Sequence, residues 1–391
     1  MNRRLNMHLG FQNGALPSSR TFGVLLCVIA ASLANVANAA APFLPIGIYS
    51  VSDTADFQEI RAAGFNVVAG RAEKNYLDAA QAAGLKVLAT VPSLKSPGPQ
   101  RMTVLDRHRA LWAWYLVDEP DLNMVPPGDI RAGYRGLKQL GLRKPVALTL
   151  FQGYEAANYA DYCDILMVDR YPVSWLPLAN FGQHMRMARL ALGKQKPFVA
   201  IIQAFDWTAY PGLLRATVPL RPPTSAELRC MTYEALARGA NGIFFYEFDG
   251  TWKIRDHPEV WSALKQVVRE VNDRTPLFQA EPIWWAKDHD YADADTAFNG
   301  ALESSVTSTL LMVRKGNSQM AAGSYILAVN NTPKPLTYSF LLPPSQGSRK
   351  QIAPSPDVQV FGESRQLEVL RNRVSDHFEA FEVHVYGPLR Q

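Results

Sequence analysis

The chain has 391 residues, 48% of them hydrophobic, and a formal net charge of +5. That length exceeds what a single core usually reaches, so one large domain with a smaller companion is expected, and the apolar fraction excludes a disordered chain. The basic balance does not point to nucleic acid. Three of the arginines (Arg3, Arg4 and Arg20) sit in an N-terminal stretch without acids, so removing that stretch takes the charge from +5 to +2. No Lys/Arg cluster interleaved with aromatics is found elsewhere.

Those arginines precede an apolar run over residues 22–36, followed by the small-x-small site Ala37-Asn38-Ala39. The pattern is that of a secretory signal over residues 1–39, cleaved near Ala40. Ser32 and Asn35 interrupt the run, and it is short for a membrane anchor. An exported protein, periplasmic or extracellular, with no membrane partner after cleavage is therefore expected. Cys27 follows Leu25-Leu26, a poor lipoprotein box, and only Cys163 and Cys230 remain after cleavage. Both fall in segments that read as helix or helix end, and the sequence leaves their pairing open.

From residue 43 to about 276 one unit recurs: an apolar strand, a polar loop, then a stretch with 3.6-residue spacing. The strands read at 44–51, 65–70, 86–91, 113–117, 145–151, 165–171, 198–205 and 242–248. The intervening helices end at Gly64, Gly84, Gly141, Gly193 and Gly239, where glycine takes the left-handed turn that stops a helix. Thr224-Ser225-Ala226-Glu227 opens the seventh helix as a capping box. Eight strands alternating with eight helices predict a (β/α)₈ TIM barrel over residues 40–277. The competing doubly wound sheet would carry a phosphate-binding glycine fingerprint after an early strand, and none is present.

After Pro276 the rhythm changes. Short runs at 310–313, 325–329, 336–342, 358–360, 367–369 and 380–386 are separated by Gly, Pro, Asn and Ser, without amphipathic helices. Residues 278–391 therefore read as a small C-terminal antiparallel β-sandwich. In its last strand Phe381, Val383 and Val385 occupy one face, Glu382 and His384 the other. The apolar stretch 278–285, with Trp284 and Trp285, is expected to join the two domains.

Barrel active sites lie at the carboxyl ends of the strands, so the strand list becomes a site list. Strand two ends on Arg71 and strand four on Asp118-Glu119-Pro120. Strand six ends through Asp169 and Tyr171, strand seven through Gln203 and Trp207, and strand eight through Tyr246, Glu247 and Trp252. A carboxylate at the lip of an apolar strand costs several kcal/mol unless something compensates, roughly 2–7 even for a neutral polar group, so these acids need an explanation. Acids beside aromatic platforms suit a sugar polymer, whose C–H faces lie on rings and whose hydroxyls bond to carboxylates. Arg71 is read either as neutralising an acid or as binding substrate, while Trp112 and Trp114 read as core. No His/Cys spacing suggests catalytic zinc. The run Asp288, Asp290, Asp293, Asp295 lacks the glycine and terminal glutamate of a calcium loop. The proline-rich loop after strand seven is no phosphate cradle. No cofactor and no metal are implied, and oligomeric state has no signature here.

The run Trp114-Tyr115-Leu116-Val117-Asp118-Glu119-Pro120 resembles the fourth strand of the retaining (β/α)₈ glycoside hydrolases of the large A clan, which often ends Asn-Glu-Pro. The signal, the terminal β-sandwich and the aromatic eighth-strand end are similar to the same families. The resemblance implies a carbohydrate substrate, O-glycosidic bond cleavage, and Glu119 as general acid/base. Asp118 departs from the usual asparagine, and Gln203 stands where that clan has its nucleophilic glutamate at strand seven. Asp169, closer round the barrel, or Glu247, among aromatics, would then supply a second carboxylate, about 5–5.5 Å away in a retaining pair and roughly 6.5–9.5 Å in an inverting one. Adjacent Asp-Glu also resembles the substrate-assisted hexosaminidases, which implies Asp118 steering an N-acetyl group while Glu119 protonates the leaving oxygen, with Tyr171 or Tyr246 on the acetamide. A non-catalytic carbohydrate-binding barrel is the reading from another class.

The leader generates a direct expectation. The mature protein recovered from an expressing cell begins near Ala40 by N-terminal sequencing; recovery of the chain starting at Met1 would remove the signal assignment.

Overall fold

Each predicted strand–helix unit becomes one turn of a closed, parallel barrel with strand order β1-β2-β3-β4-β5-β6-β7-β8. The structure, a computed structural model, describes residues 43–91, 99–194, 196–214, 217–282, 305–342 and 357–389. The leader, Trp284, Trp285 and the acidic run 288–295 lie outside them. The strands are β1 (Ile46–Ile48), β2 (Val67–Gly70), β3 (Lys86–Thr90), β4 (Leu111–Tyr115), β5 (Val146–Leu150), β6 (Ile165–Asp169), β7 (Phe198–Gln203) and β8 (Gly242–Tyr246). They are followed in turn by α1 (Phe57–Ala62), α2 (Lys74–Ala82), α3 (Pro99–Leu105), α4 (Pro127–Gln139), α5 (Ala156–Tyr159), α6 (Ala179–Leu192), α7 (Ser225–Ala237) and α8 (Pro258–Asp273). All five glycines expected to stop helices have positive φ, a conformation open to glycine at little steric cost. Thr224 and Glu227 form the capping box in both directions. Among the described residues no helix is long and apolar enough to cross a membrane.

Strand four differs from its expected span of 113–117. It starts two residues earlier because Trp112 is an extra residue against β3: Val87 pairs with Leu111, and Leu88 with Ala113. Such a bulge re-aims the side chains that follow. Trp112 itself stacks on Phe244 at 5.8 Å between centroids, in space that Gly47 leaves open, since a Cβ there would lie 2.3 Å from the Phe244 ring. Two residues above Ala113, Tyr115 reaches Thr149 Oγ1 of β5 at 2.8 Å.

The C-terminal part is two layers. One is an antiparallel sheet in the order β16-β11-β10-β9, built from β9 (Glu281–Pro282), β10 (Val306–Val313), β11 (Gly323–Asn330) and β16 (Val383–Leu389). The other is two antiparallel pairs: β12 (Leu336–Leu341) with β15 (Arg373–Phe378), and β13 (Asp357–Gln359) with β14 (Gln366–Glu368). Val306, Leu310, Ile326 and Tyr386 share a core with Phe340, Val374 and Phe378. Strand β15 was missing from the sequence reading because Asp376 occupies one of its inward positions, between buried Val374 and Phe378. That carboxylate is matched by Arg365 at 2.5 and 3.0 Å, by His384 Nδ1 at 2.8 Å and by Tyr386 at 2.8 Å. These donors and charges hold its pKa well below the ordinary carboxylate range against the opposing effect of burial. His384, on the face of the last strand opposite Val383 and Val385, is buried against Phe378 and Asp376.

The other face of the sheet joins the barrel. Leu311, Leu327, Val329, Val383 and Val385 belong to the same apolar cluster as the barrel core, and the described residues from Leu44 onward form one compact unit. Helix α7 lies between the two and is buried nearly all round, which is why its sequence shows little amphipathic stripe. Its polar groups are matched across the junction. Arg238 bonds Glu234 at 2.8 Å and Thr307 of β10 at 2.8 Å, and Thr307 donates to Glu234 at 2.9 Å. Arg229 donates to the Val383 carbonyl at 3.1 Å. Cys163 and Cys230 are both buried and free.

Removing one member of a buried ion pair strands the other. R238A is expected to destabilise the protein by about 3–5 kcal/mol, read as a drop in the chemical-denaturation midpoint. A change within about 0.5 kcal/mol, the range of ordinary surface substitutions, would show that the junction does not depend on this pair.

Candidate active site

The acids predicted at the strand ends are brought to one end of the barrel, but not on equal terms. Past β4 the chain stays bonded to β5: the Glu119 amide donates to the Thr149 carbonyl at 3.0 Å. Glu119 has φ 42, a left-handed conformation that costs a non-glycine residue of order 1–3 kcal/mol and clusters at functional sites. Its carbonyl is capped by the Asn123 amide at 2.9 Å and side chain at 3.0 Å. Asp121 anchors the loop by accepting from Phe151 and Gln152 amides at 3.1 and 2.8 Å. Asp118 is exposed and Glu119 half-buried; Asp118 accepts a hydrogen bond from Tyr115.

Asp169, at the last position of β6, is 4% exposed. Tyr171 donates to its Oδ2 at 3.1 Å. Its Oδ1 is buried without a hydrogen-bond partner, and its carboxyl lies close enough to that of Glu119 for each to shift the other's proton affinity. Two neighbouring carboxylates repel, which favours keeping a proton on one of them. Burial, then the Glu119 charge, push Asp169 well above the ordinary carboxylate range, so Asp169 is the member that tends to keep a proton. Lost hydration raises Glu119 too, opposed by the Asp169 carboxyl and aided by Asp118 and Asp121. Lost hydration of its carboxyl raises Asp118 as well, aided by the Asp121 charge and opposed by the bond from Tyr115. The pair therefore titrates as a unit that holds one proton above the range of free carboxylates.

Glu247 has a different environment. It is 1% exposed and accepts from Ser50 Oγ at 2.8 Å, from the Trp252 amide at 3.0 Å, and from the Tyr210 hydroxyl. Gly250 packs so close that a Cβ there would lie 1.7 Å from Glu247 Oε2. Tyr210 also meets Tyr246, oxygen to oxygen, at 3.2 Å. Both oxygens of Glu247 are thus engaged by donors, and the side chain is closed off from solvent.

The predicted substrate-binding residues divide similarly. Tyr171 and half-buried Tyr246 stack at 5.6 Å beside the acids. Trp207 is half-buried, with Nε1 on the Tyr171 carbonyl at 3.1 Å. Trp175, unpredicted, donates to the same carbonyl at 2.7 Å and meets Trp207 edge-on at 6.5 Å, which extends this wall. Gln203 is not brought to the opening: wholly buried, its side chain accepts from Val173 N at 2.9 Å and donates to Val173 O at 2.6 Å and Phe205 O at 3.1 Å. Trp252 is buried, stacked on His257 at 3.6 Å. Arg71 is exposed, donating to the Ser52 carbonyl at 3.1 Å and 3.8 Å from Glu73. Sequence reading missed Tyr49, Tyr115 and Thr149, whose hydroxyls join beneath the acids, and Ser50 and Tyr210, which hold Glu247. Tyrosines at strand ends were the available signal, obscured for Tyr115 by the bulge. Among the described residues no group of three or more His, Cys, Asp or Glu is placed to hold a metal ion.

No protein-family model and no curated protein matches the sequence. Solved structures match in fold. A β-galactosidase from Bacillus circulans sp. alkalophilus aligns at TM-score 0.57 and 8% identity over 88% of this chain and 99% of that one. An α-amylase from Geobacillus thermoleovorans, complexed with acarbose, aligns at 0.52 and 10% over 89% and 98%. An Anoxybacillus α-amylase aligns at 0.50 and 8% over 85% and 88%. At such identities the likeness establishes a barrel followed by a β-domain.

The raised Asp169 pKa has a signed consequence. The folded chain binds this proton to higher pH than the unfolded chain, whose carboxyl titrates near about 3.9. Stability is therefore lost as pH rises from there through the folded pKa. D169N keeps a donor beside Glu119 and removes the titration. It is expected to melt within a degree or so of wild type in acid and several degrees higher at pH 8, at about 1.4 kcal/mol per pKa unit. Parallel melting curves across that range would show that Asp169 is not the proton holder.

Proposed function

We propose that the protein is a glycoside hydrolase acting on O-glycosidic bonds, with Glu119 as the proton donor to the leaving oxygen. The observation that carries this reading is the placement of half-buried Glu119, after β4, beside buried Asp169, at the end of β6. A general acid working near neutral pH needs a carboxyl whose pKa is raised. Here half-buried Glu119 keeps access to solvent, while buried Asp169 beside it serves as the proton store. The fold neighbours support the choice of chemistry, since they are named as a β-galactosidase and α-amylases.

A second reading refines the first. Asp169 at 4% and Glu247 at 1% exposure lack the access a nucleophile needs at a sugar carbon, whereas Asp118 is open to solvent. This favours substrate assistance: Asp118, oriented by Tyr115, steers an N-acetyl group of an amino sugar, and Glu119 protonates the leaving oxygen. The proton then returns to the dyad from the incoming water. A retaining mechanism through an enzyme carboxylate would instead need Asp169 or Glu247 to move into the opening. We further propose that the protein acts after export, outside the cytoplasm.

The test is reducing-end release from a panel of bacterial and plant glycans, wild type beside E119Q. Loss of a general acid is expected to lower turnover by about 10²–10⁴-fold, with an amino-sugar polymer as the active substrate. Glycan binding by both proteins without release from any substrate would convert the assignment to a carbohydrate-binding barrel.

A further inference from the structure

Resting on this reading of the opening, we infer that Glu247 is a positioning residue whose relay through Tyr210 makes the Tyr246 hydroxyl an obligate acceptor toward substrate, so that the site selects a sugar bearing an O–H or N–H donor beside the bond to be cleaved. The inference follows from counting protons. A phenol has one O–H and accepts through lone pairs; a carboxylate only accepts. Tyr210 directs its proton to Glu247 Oε1, the same oxygen that takes the Trp252 amide at 3.0 Å. The other oxygen takes Ser50 Oγ at 2.8 Å. Because Tyr210 has no second proton, the 3.2 Å contact between Tyr210 and Tyr246 is made by the Tyr246 proton. The order is Tyr246 to Tyr210 to Glu247, and Tyr246 is left with lone pairs alone.

Those lone pairs are beside the acids. Tyr246 is half-buried and stacks on Tyr171 at 5.6 Å, and Tyr171 is bonded to Asp169. Its neighbours Tyr49, at 6.0 Å, and Phe205, at 5.5 Å, hold the ring in place. A ligand group over Tyr246 is therefore one ring removed from the carboxyl pair. An acceptor there would oppose the Tyr246 oxygen, and a buried acceptor without a donor is costly.

Two variants separate this polarity from simple packing. In E247Q the amide oxygen must stay at the Oε1 position, because the Trp252 amide can only donate, and the Ser50 hydroxyl turns to accept the new N–H. Tyr210 still donates, so the order persists. In Y210F, Tyr246 loses its acceptor and is free to donate to a ligand.

The first measurement is neutron diffraction from deuterated wild-type crystals, which needs no substrate. Deuterium bonded to Tyr246 and directed at Tyr210 is expected; deuterium on Tyr210 directed at Tyr246 overturns the inference. The second is binding by saturation-transfer NMR with two matched pairs. Methyl N-acetyl-β-glucosaminide is set against its 2-O-acetyl counterpart, which lacks the N–H. Methyl β-glucoside is set against its 2-deoxy-2-fluoro form, which lacks the O–H. Wild type and E247Q are expected to favour the donor-bearing member of one pair about tenfold, and the pair that responds identifies amide or hydroxyl as the donor. Y210F is expected to show less than a twofold difference. Equal binding within both pairs in wild type, or a preference that survives in Y210F, overturns the inference. Failure of glycan hydrolysis leaves the deuterium order intact, so the two readings fail separately.

Discussion

A carboxyl group set into the apolar throat of a closed barrel must find donors or keep a proton, and that constraint organises the site. Glu247 finds donors: a serine hydroxyl, a main-chain amide and a phenol. Asp169, with a single phenol donor, is pushed by burial and by the Glu119 charge toward keeping its proton. Asp118 remains at the solvent side, with Tyr115 against it. Three acids near one another thus acquire three different chemical characters from burial and partners alone, the separation by which acid/base chemistry is assigned to like groups.

The tyrosines are the means. Tyr49, Tyr115, Tyr171, Tyr210 and Tyr246 each present an apolar ring to the barrel and a hydroxyl to an acid, to Thr149 or to one another. The bulge at Trp112 sets the direction of Tyr115 and so links the lower barrel packing to the mouth. Glu119 at positive φ then leaves the strand with its amide still bound to β5. Strain at this one residue is over-determined by the Asn123 and Asp121 contacts around it.

The C-terminal domain is integrated with the barrel through α7, whose two faces serve two layers. The Glu234–Arg238–Thr307 set fixes that helix against β10, while α7 also follows the long loop that carries Trp207 and Tyr210. The same economy appears within the β-domain, where one buried aspartate joins the β15 edge to the β16 sheet through His384 and Tyr386. Both junctions place charge where apolar residues are the norm, and both match it fully on at least one oxygen.

Chain order, the eight barrel strands, helix stops, the capping box and the β-rich C-terminal part were legible in the sequence, because they rest on local periodicity, glycine φ and short-range hydrogen bonds. So was the clustering of Asp118, Glu119, Asp169 and Glu247 at strand ends, because a barrel gathers the carboxyl ends of its strands. The sequence could not say which acids face solvent. Gln203, Trp252 and Glu247 read like cleft residues, yet partners from other strands and loops turn them inward. Strand β15 was hidden because its inward aspartate depends on Arg365, His384 and Tyr386 from separate strands and turns. The raised proton affinity of Asp169 beside Glu119 and the order of the Tyr246–Tyr210–Glu247 relay are likewise decided only when distant segments meet, since protonation follows local dielectric and hydrogen-bond partners, and these are properties of the tertiary structure.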